Sequence, residues 1–447
     1  LGVYYDPLHS IDYIDGSLFD ASGKKIKSLK KSELKDVSGT GDESLADDNR
    51  LKYHNFYYRA YPYTVEYEWQ VINRETYSAP RWYAQKRTYC AVENSKFTLV
   101  LPANYPLRYK AFNYPGEPQS TPQVDKITYL WTAKNLRAQK DAFGFPGWRY
   151  VTPTILIGPG DFQMDKYKGK LNSWEDFGKF QLVLNEGRDV LPDNVKQQVH
   201  ALTDGKQDTR EKVEALYDYL QKNTRYISVQ FGVGGLQPFD AAYVAKNRYG
   251  DCKALSNFMY SLLKEAGIPS CYTIIKSGDD AEDIISDFPS DQFDHVVLCV
   301  PMAKDSIWLE CTSQTDAPGY MGTFTGNRHA LLVSPEGGKL VRTPTYGLKE
   351  NWQSSKVKAV IDETGTAIVE QSANYSGTTQ ESYSAMIHYL SKDKLKEYLN
   401  RIIDLPTYDI VDFNYKEDRK AVPVVHEQLK LSVSNYGQIT GKRLFVT

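Results

Sequence analysis

Length, composition and charge limit what this chain can be. Its 447 residues are too many for a single hydrophobic core, and 41% hydrophobic with 25% charged residues is the balance of a folded globular protein. The net charge of −2, without a long lysine and arginine run, excludes a protein built to bind nucleic acid, and no segment reaches the roughly 18 consecutive apolar residues that cross a membrane.

The first part of the chain is predicted to be rich in β-strands. Polar and apolar residues alternate over residues 10–15 and 64–69, and glycine-containing turns separate such segments. The 34 tyrosines favour sheets with one exposed face, because a tyrosine ring can pack while its hydroxyl meets water. We therefore expect a sandwich-like β domain over residues 1–165.

Helix signals begin near residue 173. Ser173 can cap one helix, and Asp208 opens a second with the shape of a capping box. The apolar stripe of the second helix consists of Val213, Leu216, Tyr217 and Leu220. A predicted strand over residues 225–230 and a glycine-rich loop over residues 232–238 follow. We interpret that loop as one wall of a substrate cleft.

A cysteine stands where a turn opens into the next helix. The turn Gly250-Asp251-Cys252 precedes apolar residues with helical spacing, and Gly267 ends the pattern. Unpaired backbone N–H groups and the positive end of the helix dipole favour a thiolate over a thiol at such a position. We predict that Cys252 is a nucleophile. The cysteines predicted to be structural are Cys90, Cys271, Cys299 and Cys311.

A histidine and an acid follow Cys252 in the order that thiol catalysis needs. His295 begins a predicted buried strand, and Glu310 ends the next one after a short turn. In such a hairpin the first residue of one strand and the last of its partner lie side by side. His295 could then take the thiol proton while Glu310 orients the imidazole. Asp316 is the alternative acid.

Acyl transfer also needs hydrogen-bond donors for the developing oxyanion. The backbone N–H of Cys252 could supply one, and a side-chain amide from Gln230 or Gln237 could supply the second. We favour Gln230, because a strand end holds a group more rigidly than a glycine-rich loop. An ordinary strand-edge amide explains Gln230 at least as well.

Each candidate has a structural alternative. A cysteine in a helix is commonly a small buried hydrophobe, and a single histidine at a strand edge commonly satisfies core hydrogen bonds. The alternatives weaken when a cysteine, a histidine and an acid occur in this order on these predicted elements, although only geometry can test the motif.

Three segments carry a resemblance to a known family. They are Tyr249-Gly250-Asp251-Cys252, Phe293-Asp294-His295-Val296 and Trp308-Leu309-Glu310-Cys311-Thr312. Over about residues 175–320 the sequence resembles the transglutaminase-like superfamily, in particular bacterial envelope proteins in which a β-rich domain of unknown function comes first. The resemblance implies a cysteine, histidine and acid triad and a periplasmic or secreted location. The family usually has Asp where this chain has Glu310.

The predicted fold class is α+β, with a central transglutaminase-like, papain-like domain over residues 166–345 between β-rich domains at 1–165 and 346–447. The last domain is expected to contain a helical insertion. The start at Leu1 rather than a methionine fits removal of a leader or a fragment, and the strand-like end at Thr447 predicts that the natural chain continues.

The leading functional hypothesis is a cysteine enzyme that attacks amide bonds through a thioester acyl-enzyme, with hydrolase or peptidase activity favoured over transamidation. Its substrate would be a protein or peptide. We expect neither a cofactor nor a metal, because His388 and His426 lack cysteines or an HExxH pattern nearby. The alternative is a catalytically inactive envelope scaffold whose β domains bind protein or glycan. The sequence leaves the oligomeric state open.

Overall fold

The computed structural model describes residues 1–39, 44–230, 235–405 and 407–446, with backbone alone at 44–47 and 230. Helices and strands occur in separate runs along the chain, and its strands form several small sheets. The predicted α+β class is confirmed.

Strands dominate the first region, in agreement with its alternating pattern. Its strands are Gly2–Tyr5, His9–Phe19, Lys25–Ser28, Lys35–Ser38, Ser44–Asp47, Arg50–Tyr53, Thr64–Asn73, Arg81–Tyr83, Val92–Pro102, Tyr109–Phe112, Gln119–Pro122, Lys126–Leu136 and Thr154–Ile157. Short helical turns lie at Lys31–Glu33 and Trp148–Val151. The long strands Val92–Pro102 and Lys126–Leu136 pair antiparallel. Alternate residues of these strands, including the fully buried Trp131, pack in one apolar core.

Helices and a five-stranded antiparallel sheet form the central region. The sheet contains, in spatial order, Ser306–Leu309, His295–Pro301, Cys271–Ile275, His329–Ser334 and Gly337–Arg342. The helices are Trp174–Asn185, Asp193–Thr203, Thr209–Asn223, Ala241–Asn247, Cys252–Glu265 and Gly322–Thr325. Shorter strands are Asp161–Met164, Tyr167–Lys170, Arg225–Tyr226, Ser228–Gln230 and Tyr249–Gly250.

Local capping explains where the main helices begin. Ser173 accepts a hydrogen bond from the Asp176 N–H, and Asp208 accepts one from the Arg210 N–H. The helix Cys252–Glu265 is followed by Gly267 at φ +68°. Its apolar stripe faces the helices before it, and its first residue packs in a second core against the sheet. The helix is therefore buried on more than one face, whereas its sequence stripe predicted one.

A four-stranded antiparallel sheet forms the third region, in the order Gln353–Ile361, Ala367–Ser376, Val424–Val433 and Tyr408–Asp418. A short turn of helix at Gly377–Gln380 and the helices Glu381–Tyr389 and Lys392–Ile402 are inserted between its second strand and the strand Tyr408–Asp418. A hairpin of Gly437–Thr440 and Arg443–Val446 follows. The helices pack on the sheet through Met386, Leu395 and Leu399.

Contacts cross the proposed domain boundaries. The strands Asp161–Met164 and Tyr167–Lys170 form a hairpin around the 165/166 position, and Phe162 and Met164 pack in a core of the central region. Backbone at Ser44–Asp47 pairs in parallel with Ser228–Gln230. The three-domain division stays a prediction. Among the described residues, no helix is long and apolar enough to cross a membrane.

Candidate active site

Cys252 lies at the start of a helix that local chemistry fixes in place. Asp251 caps the helix by accepting a hydrogen bond from the Ala254 N–H at 2.9 Å. The preceding residue must be glycine, because a Cβ on Gly250 would lie 2.7 Å from the Ala254 side chain. The thiol-bearing residue is only 3% exposed. The cap and the glycine therefore place the nearly buried Cys252 thiol beside the unpaired N–H groups of the first helical turn.

His295 and Glu310 form a buried pair at one edge of the central sheet. The His295 Nε2 atom lies 3.0 and 2.9 Å from the two Glu310 carboxylate oxygens. The strand ladder pairs Leu298 with Leu309, so its continuation sets Glu310 two residues away from the level of His295. The extra methylene of Glu relative to Asp helps the carboxylate cover that offset. Thr312 donates hydrogen bonds to Glu310 Oε1 from both its backbone N–H and its hydroxyl.

The same histidine lies beside the Cys252 side chain, since both line one small cavity and Cys252 contributes to the raised His295 pKa. Because Nε2 faces Glu310, Nδ1 is the ring nitrogen left for the thiol. Burial opposes a charge on His295, but Glu310 and Cys252 outweigh burial and raise the His295 pKa well above its ordinary value. Burial likewise opposes the Glu310 charge, but His295 and Thr312 lower the Glu310 pKa. The pair therefore favours imidazolium beside carboxylate.

Neighbours that the sequence did not single out complete the surroundings of the thiol. Lys253 Nζ lies 2.6 Å from the Asp251 carboxylate, and both side chains are almost fully buried. Burial opposes the Lys253 charge, but Cys252 and Asp251 raise its pKa. A lysine in the first turn of a helix opposes the helix dipole, and that conflict was the available sequence signal. The ring of Phe324 meets the His295 ring edge to face, with centroids 5.4 Å apart.

The alternative acid lies elsewhere. Asp316 N–H donates a hydrogen bond to the Ser313 hydroxyl, and within the described residues its carboxylate has no hydrogen bond to His295. Burial raises the Asp316 pKa to about 6. The structure thus brings Glu310, and not Asp316, to the imidazole.

The structure describes only one of the two amide side chains that were predicted for the oxyanion site. The side chain of Gln230 lies outside the described residues. Gln237 donates its amide hydrogens to the Tyr167 hydroxyl and the Leu184 carbonyl, so both are engaged away from the thiol.

Tyr226 is a neighbour of Cys252 that the sequence analysis did not predict, since burial and Cys252 both raise the Tyr226 pKa. Its signal was its place in the strand that pairs with the residues before Cys252.

The other cysteines lack such surroundings. Burial raises the pKa of Cys271, raises that of Cys299 to about 11 and raises that of Cys311 further. Cys90 is exposed in the first region. Among the described residues, no group of three or more His, Cys, Asp or Glu side chains could hold a metal ion.

A small cavity of about 20 Å³ lies beside the thiol. Its walls include Gln181, Leu236, Lys253, Ile274 and Asp294, together with Cys252 and His295. Gln181 donates a hydrogen bond to the Leu236 carbonyl at 3.0 Å and so fixes one wall. A cavity of this size can hold about one water molecule.

Comparisons with known proteins agree with the fold and the family. Residues 196–312 match the family model described as the transglutaminase-like superfamily, and residues 1–140 match DUF3857, a domain of unknown function with a solved structure. The central region therefore contains a transglutaminase-like domain, and the first region contains a DUF3857 domain. The predicted family is confirmed. No curated protein matches the chain.

Two solved structures are similar to the chain. A candidate protease from Parabacteroides distasonis ATCC 8503 shares 13% identity over 97% of this chain and 86% of its own, with a TM-score of 0.55. This likeness supports the fold. A candidate cysteine protease from Cytophaga hutchinsonii shares 12% identity over 60% of this chain and 83% of its own, with a TM-score of 0.25, which is too low to support an argument.

Proposed function

We propose that this protein is a cysteine hydrolase that cleaves amide bonds in proteins or peptides through a thioester intermediate. The observation that carries the proposal is the position of His295, which lines the same small cavity as Cys252 and also contacts both carboxylate oxygens of Glu310. Nucleophilic catalysis by a thiol needs a base next to the thiol and an acid that orients the base, and the three side chains are arranged in that order.

The reaction follows from these contacts. With the Cys252 proton held on His295, the imidazolium and the thiolate form an ion pair, and the thiolate attacks the amide carbon to give a tetrahedral oxyanion next to the Cys252 backbone N–H. The imidazolium then gives its proton to the leaving amine, and the C–N bond breaks to leave a thioester. A water molecule that transfers a proton to His295 attacks the thioester and releases the acid with a regenerated thiol. Glu310 holds the imidazole and stabilises its charged form throughout.

Water is the acceptor that we favour over an amine. The cavity of about 20 Å³ beside Cys252 suits a water molecule. This supports hydrolysis over transamidation.

Labelling with a peptide acyl electrophile, followed by peptide mapping, tests the proposal. We expect the label on Cys252, none after Cys252→Ala, and normal labelling after Cys271→Ala, a control that removes another sheet-associated thiol. Equal labelling of several cysteines, or labelling of Cys252 no faster than Cys271, would favour the inactive scaffold instead.

We also propose that the protein acts in the bacterial cell envelope, periplasmic or secreted. The support is the resemblance to envelope proteins that combine the same two domains. Fractionation of cells expressing the natural gene tests the location, and recovery with cytoplasmic markers alone would contradict it.

A further inference from the structure

A second and much larger cavity, of about 490 Å³, lies between the first region and the central sheet. Its first-region wall includes Arg81, Tyr83 and Arg149, and its central wall includes Lys276, Asp291 and Asp294. The volume is within the range of small-ligand and peptide sites. Most of its lining is polar, so a polar or charged ligand fits it better than an apolar one.

This cavity adjoins the candidate active site. Phe293 and Asp294 line both the large cavity and the small one beside Cys252. The strand ladder pairs Ile275 with His295, and Lys276 is the next residue. Lys276 and Asp294 are therefore one residue beyond the level of His295 on two neighbouring strands. The large cavity therefore reaches Asp294, the residue before the proposed base.

Among the described residues, one cation of the cavity has no hydrogen bond, ion pair or ring contact; Lys86 is not that cation, since its Nζ lies 5.0 Å from the centroid of the Tyr83 ring. Arg149 Nε lies 2.7 Å from the Glu282 carboxylate, and Arg81 donates a hydrogen bond to the Asp291 carbonyl, with the Asp291 carboxylate 3.9 Å away. Within the described residues, Lys276 Nζ has no hydrogen bond or ion pair. Lys276 lines the cavity and is half-buried, so pairing its ammonium with an incoming anion costs little further desolvation.

Two further observations agree with a Lys276 ammonium that has no partner. Burial lowers the pKa of Lys276, and the nearby Arg149 and Arg81 lower it further, whereas Glu282 and Asp294 only partly oppose this. The Asp294 carboxylate accepts two hydrogen bonds from Ser277, at 2.7 Å from its N–H and 3.1 Å from its hydroxyl. Asp294 is thus held by Ser277 rather than by Lys276.

We infer that the large cavity holds the leaving-group side of the substrate and that Lys276 binds a free carboxylate there; this rests on the proposed hydrolase function. The side follows from the chemistry, because the imidazolium must reach the leaving nitrogen, so the surface next to His295 contacts the leaving group. Lys276 is one residue beyond the level of His295, about 3.3 Å along the strand, and the length of its side chain extends that separation to one or two peptide residues. The carboxylate is therefore one or two residues from the scissile amide.

The substrate class that follows is a peptide with a free C-terminus, cut at its last or second-last amide bond. The leaving amine takes the proton from His295 and departs as an amino acid or dipeptide with its carboxylate intact. Water then releases the shortened peptide from the thioester. An ammonium and carboxylate in hydrogen-bond contact give roughly a 10- to 100-fold preference over an uncharged amide.

A pool of degenerate N-acetylated hexapeptides, prepared both as free acids and as C-terminal amides, tests this. Mass spectrometry should find wild-type cuts at the last two bonds of the acids, and roughly 10- to 100-fold slower cutting of the amides. Lys276→Gln should remove the preference, Lys276→Arg should keep it, and Lys304→Gln should be a neutral control on an exposed turn. Equal cutting of both pools by the wild type, or an unchanged preference in Lys276→Gln, would overturn the inference.

Binding separates this inference from the hydrolase proposal. If the wild type cuts no peptide, the hydrolase proposal fails, and equilibrium dialysis of the two pools against Cys252→Ala then tests the site alone. Tighter binding of the acids, lost in Cys252→Ala with Lys276→Gln, would support a carboxylate site. Equal binding of acids and amides would rule it out. Melting curves of each variant must match the wild type for its result to count.

Discussion

Two regions of the molecule each bury a glutamate, and they do so in chemically different ways. Glu310, at the edge of the central sheet, is 3% exposed, and Glu427, in the third region, is 4% exposed. Glu310 contacts a histidine that can change charge, whereas Glu427 accepts hydrogen bonds from the neutral groups of Gln371, Tyr375 and Tyr415. A buried carboxylate is thus no sign of chemistry by itself. The distinction lies in a partner that can exchange a proton and that also contacts a thiol.

The largest expected contrast comes from converting each glutamate to glutamine. Glu310→Gln should slow acyl labelling of Cys252 by up to about 10⁴-fold, because the imidazole loses the acid that orients it and stabilises its charge. Glu427→Gln should leave labelling unchanged and cost about 1–3 kcal/mol of unfolding free energy, because buried donors lose their charged acceptor. Labelling rates and urea unfolding measure both. Equal labelling losses would mean that Glu310 acts only through stability.

The second-largest effect is expected from the buried ion pair of Lys253 and Asp251 beside the thiol. Lys253→Met should destabilise the fold by about 3–5 kcal/mol, because Asp251 is left as a buried unpaired charge. Labelling of Cys252 should fall on the order of tenfold, which corresponds to about 1.4 kcal/mol, because a thiolate loses a nearby cation.

A double variant separates the two effects of that ion pair. Lys253→Met with Asp251→Asn removes both charges and keeps an N-cap side chain, so it should recover much of the stability. Its labelling should stay slow if the ammonium supports the thiolate. Full recovery of labelling along with stability would assign Lys253 a purely structural role.

The sequence predicted the parts of the site that local patterns encode. A stripe behind Cys252 predicts its helix, and a short turn between apolar runs predicts the hairpin of His295 and Glu310, which are the residues that the structure brings together. Lys253 and Phe324 could not be predicted in this way. The contact of Lys253 depends on how a buried ion pair folds back on the start of its helix, and that of Phe324 depends on how the short helix Gly322–Thr325 packs against the imidazole.

Elements of the fold that depend on tertiary packing were also difficult to predict from local patterns. The strand Cys271–Ile275 lies at the centre of the five-stranded sheet, yet its apolar run of five residues is too short for periodicity to predict it. The helix Asp193–Thr203 buries chiefly Val195 and Val199, which is too sparse a stripe to predict it. Capped helices with full stripes were predictable, and elements fixed by tertiary packing were not.

The charges of His295 and Glu310 predict the pH range over which this pair stabilises the folded state. His295 has a pKa raised above its ordinary 6.5, so its contribution is complete below pH 6.5 and is lost as the pH rises through the folded value. Glu310 has a pKa lowered below 4.5, so its contribution is complete above pH 4.5 and is lost as the pH falls through the folded value. The difference in melting temperature between wild type and Glu310→Gln should therefore be largest between pH 4.5 and 6.5. A difference independent of pH would contradict the charged pair.

The smallest effect on chemistry is expected at Asp316, six residues from Glu310 and also largely removed from water. Burial raises its pKa to about 6 from an ordinary 3.8, so the folded state prefers the neutral acid and loses stability as the pH rises through about 6. Asp316→Asn removes the charge and leaves the hydrogen bond from the residue 316 N–H to the Ser313 hydroxyl in place, so it should raise the melting temperature at pH 8 and change it little at pH 3.5. Because no hydrogen bond joins Asp316 to His295 within the described residues, labelling of Cys252 should stay within about twofold of wild type. If Asp316→Asn abolished labelling while Glu310→Gln did not, the orienting acid would be Asp316, and the contact of Glu310 with the imidazole would be structural.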